Sequence, residues 1–600
     1  MNKILKGLLL TALTVSAAQL QAETNKTFMM PRPVGVNLAM EYTTWNELVH
    51  RKDNNKFGAN FQVTGFYQAS TNADRVGRYF GINDKSTINL NYEAKRPGTI
   101  NPVGGDVTLP GTPCTASTVT CDMDLGYILH DAIGVLQGQS VILNFDPKQK
   151  AYGARFDYYQ DLEKIVKGLY LTVALPVVHV ENDMGLSIDC APACNPCSGT
   201  VTTPNAALNQ RVINYFKGCT DVSLDQINNK QVPLAKAKID GRRGKTGVAD
   251  IDVKLGYNFL DKENYHLGLN LGVTFPTGNE AKGNYVFEPI VGNGQHWGLG
   301  FGLDSLFRIW NNEDSDLKFA VIFNYRYLFK NDECRTLGIN GATTASTNPC
   351  APCGDDDDCA PALNWGQYRL LGDNTITTVP YALTPAANIT TLNVNVTPGS
   401  QFDGIAALTY NNSGWSLDLG YNLYLRAREK VSLKGNCCET PCATPCTTTC
   451  PTTSSCSPCK PACDTGCASS IAANRYGIAS RGFATGRLGG VPFAGSTVPT
   501  TQGQDFDGCT TAFLACPPAC KPACSPCGTT PSTTPNTLGT LNTCVAQTPS
   551  QISNKIFAGV GYIFKEWDYP LMLGATGSYE WANDAALDQW LVGAKIGIGF

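Results

Sequence analysis

Two neighbouring stretches, Ile251-Asp-Val-Lys-Leu-Gly-Tyr-Asn-Phe-Leu260 and Tyr265-His-Leu-Gly-Leu-Asn-Leu-Gly-Val-Thr-Phe275, decide the fold. In the first, Ile251, Val253, Leu255, Tyr257 and Phe259 share one phase, and Asp250, Asp252, Lys254 and Asn258 share the other. The second sets Tyr265, Leu267, Leu269, Leu271, Val273 and Phe275 against His266, Gly268, Asn270, Gly272 and Thr274. A period of two is that of a strand with one apolar and one polar face. Both stretches exceed the five or six residues usual in soluble sheets and reach the roughly nine to eleven that cross a bilayer as a tilted strand.

The pattern recurs toward the C-terminus. Trp297, Leu299, Phe301 and Leu303 alternate with Gly298, Gly300, Gly302 and Asp304; Leu317, Phe319, Val321, Phe323, Tyr325 and Tyr327 alternate with Lys318, Asn324 and Arg326. Trp415, Leu417, Leu419, Tyr421, Leu423 and Leu425 enclose Asp418, Asn422 and Arg426, and similar segments run to Phe600. Nine strands follow Gly247. Upstream candidates are Phe57–Tyr67, Ser86–Glu93, Gln139–Asp146, Ala151–Gln160 and Gly168–Val180. Strands in lipid must satisfy their backbone groups from one another, which forces closure. The expectation is an all-β, antiparallel transmembrane β-barrel of about fourteen strands, within a range of roughly twelve to sixteen.

A soluble sandwich also alternates. Two features speak for the membrane. Tyr257, Phe259, Trp297, Trp310, Phe329, Trp415, Trp567 and Trp581 fall near strand ends, as in interfacial girdles. Short turns at Leu260–Asn264, Asn311–Ser315, Asn411–Gly414 and Lys565–Tyr569 alternate with long connections at Pro276–His296, Lys330–Asp403 and Glu429–Ser553. Outer-membrane barrels carry short periplasmic turns and long external loops. The same count of directions puts the connection holding Cys114 and Cys121 on the periplasmic side, which conflicts with the placement of the other cysteines.

The N-terminus reads as a secretory signal: Lys3 and Lys6, an apolar stretch from Gly7 to Ala18, then Leu20 and Ala22 ahead of cleavage before Glu23. The domain reading is a signal at 1–22, a segment at 23–50 that is either an extra strand or an insertion, and a barrel at 51–600 with loop insertions at 181–246, 330–403 and 429–553. Past the signal no apolar run approaches the roughly 20 residues of a spanning helix. The 25 cysteines suit an oxidising compartment, and their odd number leaves at least one unpaired within a monomer.

The final strand, Gly593-Ala-Lys-Ile596-Gly-Ile598-Gly-Phe600, resembles the C-terminal signal by which the outer-membrane assembly machinery recognises its substrates, with Ile596, Ile598 and Phe600 as its apolar positions. That machinery and outer-membrane lipid are the partners it implies. Gly247-Val-Ala-Asp250-Ile-Asp252, Leu269-Gly-Leu-Gly-Val-Thr-Phe-Pro276-Thr277-Gly278 and Gly292-Asn-Gly294 together resemble the outer-membrane channel family grouped with meta-pathway phenol-degradation proteins. The likeness spans about 244–329 and implies uptake of small apolar compounds; the long cysteine-rich insertions depart from that family. A simpler reading of the motif is mechanical: Pro276 ends the strand ladder and Gly278 permits a sharp turn.

The cysteines form a low-complexity series: Cys190, Cys194 and Cys197; Cys350 and Cys353; Cys456, Cys459 and Cys463; Cys516, Cys520, Cys524 and Cys527, with Cys-Lys-Pro-Ala-Cys occurring twice. Disulfides that staple long polar loops are the leading reading, with Cys190, Cys194, Cys197, Cys350, Cys353, Cys456, Cys459, Cys520, Cys524 and Cys527 as candidates. Irregular spacing weakens zinc binding, and Thr/Pro-rich flanks lack the helix start of a thioredoxin-like redox site. Asp355 to Asp358 reads as a solvated acidic turn in preference to a calcium loop, whose ligands alternate. Arg242, Arg243 and Lys245 read as a solvated basic run, with contact to anionic headgroups as the sharper alternative.

A net charge of −4 without a basic stripe excludes polynucleotide binding. No Ser/His/Asp set, metal-spaced histidine pair or phosphate loop appears, so neither catalysis nor a metal or other cofactor is expected, and no catalytic residue is named. The polar strand face supplies the candidate lumen residues: Asp252, Lys254, Asp304, Lys318, Arg326, Asp418, Arg426 and Lys595. Their mixed signs imply weak ion selectivity. The expectation is a porin-like channel for passive uptake of small solutes. The alternative is a structural surface protein, homo-oligomeric or disulfide-linked to its neighbours, as cysteine-rich major outer-membrane proteins of some intracellular bacteria are.

Overall fold

The computed structural model describes residues 24–43, 58–91, 122–129, 140–189, 203–219, 230–262, 264–339, 362–373, 382–434, 476–478, 487–488, 491–492, 541–564, 566–583 and 586–600. Twelve long strands close on themselves, each antiparallel to its neighbours. They are β1 (Ala59–Ser70), β2 (Lys148–Asp161), β3 (Leu169–Asp183), β4 (Ile251–Lys262), β5 (Tyr265–Phe275) and β6 (Gly298–Asn311). There follow β7 (Ser315–Leu328), β8 (Gly399–Asn412), β9 (Trp415–Arg426), β10 (Gln551–Phe564), β11 (Leu571–Ala582) and β12 (Gln589–Gly599). Closure is made twice over: β1 pairs with β12 from Asn60↔Gly599 to Ser70↔Gln589, and β3 pairs with β4 from Leu169↔Tyr257 to Ala174↔Asp252. The upper half of β3 continues against Arg242–Val248, the stretch leading into β4. The interruption falls at Pro176, which has no N–H to give the ladder; its carbonyl accepts from Ala249 N instead.

The strand number is therefore twelve, below the expected fourteen. The difference lies in Ser86–Glu93 and Gln139–Asp146, whose strands are only Thr87–Asn91 and Ser140–Asn144 and pair with each other outside the barrel. Five residues rise about 17 Å at most, too little for a tilted crossing. Removing this pair also resolves the conflict over Cys114 and Cys121. The connection from β1 to β2 that contains them leaves and re-enters the barrel on the rim that carries the other long connections.

The two rims differ as in outer-membrane barrels. Lys262–Tyr265, Asn311–Ser315 and Asn412–Trp415 turn tightly on one rim, where Phe600 also ends, its backbone exchanging two hydrogen bonds with Ala59 at 2.9 Å. The outer wall between the rims is apolar and exposed, for example at Leu255, Leu269, Leu271 (69% exposed), Leu299, Leu417, Leu419 and Ile596. Phe259, Trp310, Trp415 and Trp567 ring the short-turn rim, and Phe275, Trp297, Phe329 and Trp581 ring the other, all exposed. So much apolar surface facing outward is stable only in lipid. The protein spans the bacterial outer membrane, with the short turns on the periplasmic side.

On the external rim the described parts of the long connections pack into a cap with its own core. Val76, Tyr79 and Phe80 of helix α2 (Ala73–Phe80) pack with Ile88, Leu90, Val141 and Leu143, with Val212, Tyr215 and Phe216 of helix α3 (Thr203–Lys217), and with Trp365, Tyr368, Leu370 and Leu383. A second layer is the sheet of Asn331–Thr336, Thr391–Thr397 and Lys430–Leu433. Cys334, in that sheet, and Cys544 each take part in a disulfide, and Cys219 is a free, exposed thiol. The candidate disulfide cysteines from Cys190 to Cys527, and Asp355–Asp358, lie outside the described residues.

Candidate functional site

The barrel interior is not an open bore. Residues 24–43 run from the cap down through the lumen, ending in the short helix α1 (Leu38–Tyr42), and β1 then begins at the opposite, periplasmic rim. Pro31-Arg32-Pro33 keeps the chain extended, and Asn37 caps α1 by accepting from Met40 N at 3.1 Å. Leu38, Ala39 and Tyr42 pack on Ala320, Ile405, Ala407 and Phe557 of the wall. Val34 and Met40 pack on Phe66, Ala151, Val178 and Leu591 on the other side. Gly559 is required where the two meet: a Cβ there would stand 2.9 Å from Thr43 Cβ.

Charge fixes the segment more specifically than apolar contact does. Arg32 donates to Asp403 at 2.9 Å and to Glu580 at 3.3 Å, bonds Asn422 and the Val36 carbonyl, and lies over the Tyr424 ring at 4.4 Å. Glu580 is shared with Lys555 at 3.0 Å, and Lys555 reaches Asn37 Oδ1 at 3.3 Å. Opposite, Arg155 bridges Asp157 at 2.8 Å and Glu41 at 2.6 Å, and Glu41 also meets Lys254 at 3.5 Å. Buried pairs of this kind add little net stability, but removing one partner strands the other in low dielectric. They fix the position of the segment.

All eight candidate lumen residues project to the inner face. Asp252 accepts from Thr274 at 2.5 Å and pairs with Arg326 at 3.3 Å; Asp304 lies 3.4 Å from His266 Nε2; Lys318 pairs with Asp316 at 3.7 Å; Asp418 accepts from Thr409 at 2.6 Å. Lys595 donates to the Met40 and Thr43 carbonyls at the end of α1, and Arg426 to the Met30 carbonyl at 2.6 Å. Ile596 points to lipid and is exposed, Ile598 shares that phase, and Phe600 is half-buried at the seam with β1. Sequence reasoning missed Arg155, Asp157, Lys555 and Glu580, although each occupies the polar phase of an expected strand, and it left Asp403 at the end of the 330–403 connection, whereas the strand begins at Gly399. Arg32 and Glu41 carried no such signal.

Between the segment and the wall of β4 to β9 lies a cavity of about 70 Å³, lined by Glu41, Asp252, Asn270, Arg326, Gln401 and Tyr424 among others. At roughly 10–15 Å³ per enclosed water it holds a few waters or one small solute. Gly272 and Gly300 leave room on its wall side.

The head of the segment is bound into the cap. Asn25 N, Lys26 N and Thr27 N donate to the carbonyls of Gly81, Tyr79 and Val545, and Asn25 exchanges side-chain bonds with Leu363 and Trp365. The Phe28 ring stacks under Arg335 at 3.3 Å, and Arg335 pairs with Glu333 at 2.8 Å and Glu429 at 3.2 Å. Burial pushes the Glu333 carboxyl up, but the Arg335 guanidinium and the neighbouring His296, at 2.8 Å, outweigh it and hold the group below the usual carboxylate range.

The Gly-x-x-Asp, Pro-Thr-Gly and Gly-x-Gly elements come together on the external rim. Asp250 accepts from Gly278 N at 3.2 Å and from both Asn293 N and Asn293 Nδ2 at 2.6 Å, while Thr277 Oγ1 donates to the Ala249 carbonyl at 2.6 Å. Gly292 has φ +84°, and a Cβ on it would stand 2.7 Å from Asp250 Oδ1. The motif is a clasp that ties the 276–297 connection to the start of β4, a larger role than marking a strand end.

No protein-family model matches the chain, and no curated protein matches it. Solved structures that it resembles include an outer-membrane channel from Pseudomonas putida F1, at 8% identity and TM-score 0.33 over 92% of this chain and 98% of that one. A Pseudomonas aeruginosa FadL homologue aligns at 8% identity and TM-score 0.25 over 95% and 98% of the two chains. The Ralstonia pickettii toluene transporter TbuX aligns at 7% identity and TM-score 0.23 over 96% and 95%. These likenesses are too loose to carry function, which must come from the lumen itself.

Proposed function

We propose that this protein is an outer-membrane channel for the passive passage of small polar solutes, and that its own N-terminal segment restricts the bore. The observation that carries the reading is the cavity of about 70 Å³ between that segment and the β4–β9 wall, in which Glu41, Arg155, Asp252, Lys254, Arg326 and Asp403 stand among apolar neighbours. Its charged lining is balanced, with Glu41, Asp252 and Asp403 against Arg155, Lys254 and Arg326, which gives no preference for ions of one sign. The route runs beside the segment, because its head is bonded into the cap and its foot to Lys595. Planar-bilayer recording tests this. Wild-type protein should give small, intermittent steps, and deletion of residues 32–43 should give larger, steady ones; two silent preparations would refute the channel.

A second reading, a cross-linked structural surface protein, is favoured by the exposed Cys219 thiol beside α3. Non-reducing electrophoresis of whole envelopes tests it: a disulfide-linked ladder that Cys219→Ser removes would support it, and monomer alone would not.

A further inference from the structure

Lys254, Gly272, Gly300 and Arg326 stand in one register row across β4, β5, β6 and β7, all on the inner face. Three strand spacings put the Lys254 and Arg326 backbones ~14 Å apart. Glycine at the two positions between them leaves the wall without a side chain there, so the two long cations flank a bay. All four residues line the cavity, as do Asp252 and, from the segment, Glu41. The charged side chains are only partly enclosed: Lys254 is 20% exposed, Glu41 24%, Asp252 25% and Arg326 12%.

The pairing of these four charges is slack. Lys254 Nζ meets Glu41 Oε1 at 3.5 Å, and Arg326 Nη1 meets Asp252 Oδ1 and Oδ2 at 3.3 and 3.5 Å. A charge-assisted bond closes to about 2.7–2.9 Å. Arg155 does so on Glu41 Oε2 at 2.6 Å, and Arg32 on Asp403 at 2.9 Å, in the same lumen. Asp252 Oδ1 is likewise held by Thr274 at 2.5 Å. Among the described residues, Glu41 Oε1 and Asp252 Oδ2 are thus left with one distant donor each. A simple anion drawn to Lys254 and Arg326 would meet both carboxylates, and a simple cation would meet both bases. A solute carrying both charges can replace two slack pairs with close ones and leave the lining neutral.

We propose that this bay is a binding site for a small zwitterionic α-amino acid, of the size of glycine or alanine. The carboxylate sits between Lys254 and Arg326, and the ammonium donates to Glu41 Oε1 and Asp252 Oδ2. The cavity volume of about 70 Å³ limits the ligand to a few heavy atoms. This names the solute class of the channel and rests on the channel reading for the solute's onward route.

The test is calorimetric titration of the full-length protein in detergent, at pH 7 and fixed ionic strength, with glycine, alanine, sodium acetate, methylammonium chloride and tryptophan. Glycine and alanine should bind, acetate and methylammonium about tenfold or more weakly, and tryptophan not measurably. Lys254→Met and Asp252→Asn should each weaken glycine binding by about tenfold or more, the loss of one charge-assisted contact. Gly272→Val should do the same with every charge in place, because a Cβ there already stands 3.3 Å from Lys254 Cγ and narrows the bay. It carries the test if the charge variants fail to fold, as judged by heat-modifiable gel mobility. Absence of glycine binding to wild type, acetate or methylammonium binding as tightly as glycine, or unchanged affinity in the folded variants overturns the proposal. Glycine binding by a protein that never conducts would keep this site and remove the channel, whereas conduction without glycine binding would do the reverse.

Discussion

Arg32→Met should release the N-terminal segment from the wall. The arginine is buried with Asp403 at 2.9 Å and Glu580 at 3.3 Å, and methionine keeps much of its apolar volume while removing the charge. Breaking a buried ion pair from one side costs ~3–5 kcal/mol. The lower end applies here, because Glu580 retains Lys555 at 3.0 Å and Asp403 retains the Asn422 amide at 2.5 Å. At about 1.4 kcal/mol per decade, ~3 kcal/mol raises the population with the segment displaced by about two orders of magnitude. Planar-bilayer recording reads this as open probability. Adding Asp403→Asn in the Arg32→Met background removes the stranded charge and should return most of the effect, since deleting both partners of a buried bond is nearly neutral. Wild-type open probability in Arg32→Met, or no recovery in the double variant, would refute the claim that these charges hold the segment.

Deletion of Phe600 removes two backbone hydrogen bonds to Ala59 at the closing seam and the last position of the assembly signal; yield in the outer-membrane fraction and heat-modifiable mobility should both fall. Asp250→Ala strands Gly278 N and both Asn293 donors, a loss of ~2–3 kcal/mol that should appear as faster proteolysis within 276–297 and a lower Tm. Because the folded Glu333 carboxyl is held below its unfolded value of about 4.3, its contribution is complete above that pH and disappears as pH falls through the folded value. Acid titration of the cap by near-ultraviolet circular dichroism should therefore show a transition below about pH 4 that flattens in Glu333→Gln.

The nine strands from Ile251 onward were legible because lipid on one side and charge on the other impose a strict period of two over eleven or more residues, as in Tyr265–Phe275. Thr87–Asn91 and Ser140–Asn144 alternate for a different reason: Ile88, Leu90, Val141 and Leu143 face the cap core while Thr87, Asn89, Ser140 and Ile142 lie on the less buried side. Alternation does not distinguish lipid from core, and length does. The inner face was legible as a set of charges but not as a set of pairs. Arg32 meets Asp403 and Glu580 across hundreds of residues, and no local period announces a segment that is extended, short and enclosed.

The path of residues 24–43 makes the molecule resemble a cord held at both ends inside a ring. Its head is woven into the external cap while β1, which continues it, begins at the periplasmic rim. A ring already closed would have to admit that head end-first against its own loops. The less costly order has the strands assemble around the segment, with the β1–β12 seam made last. The cord is then a mandrel for the barrel, and charge changes at Arg32, Arg155 or Lys595 should slow biogenesis as well as alter the finished channel.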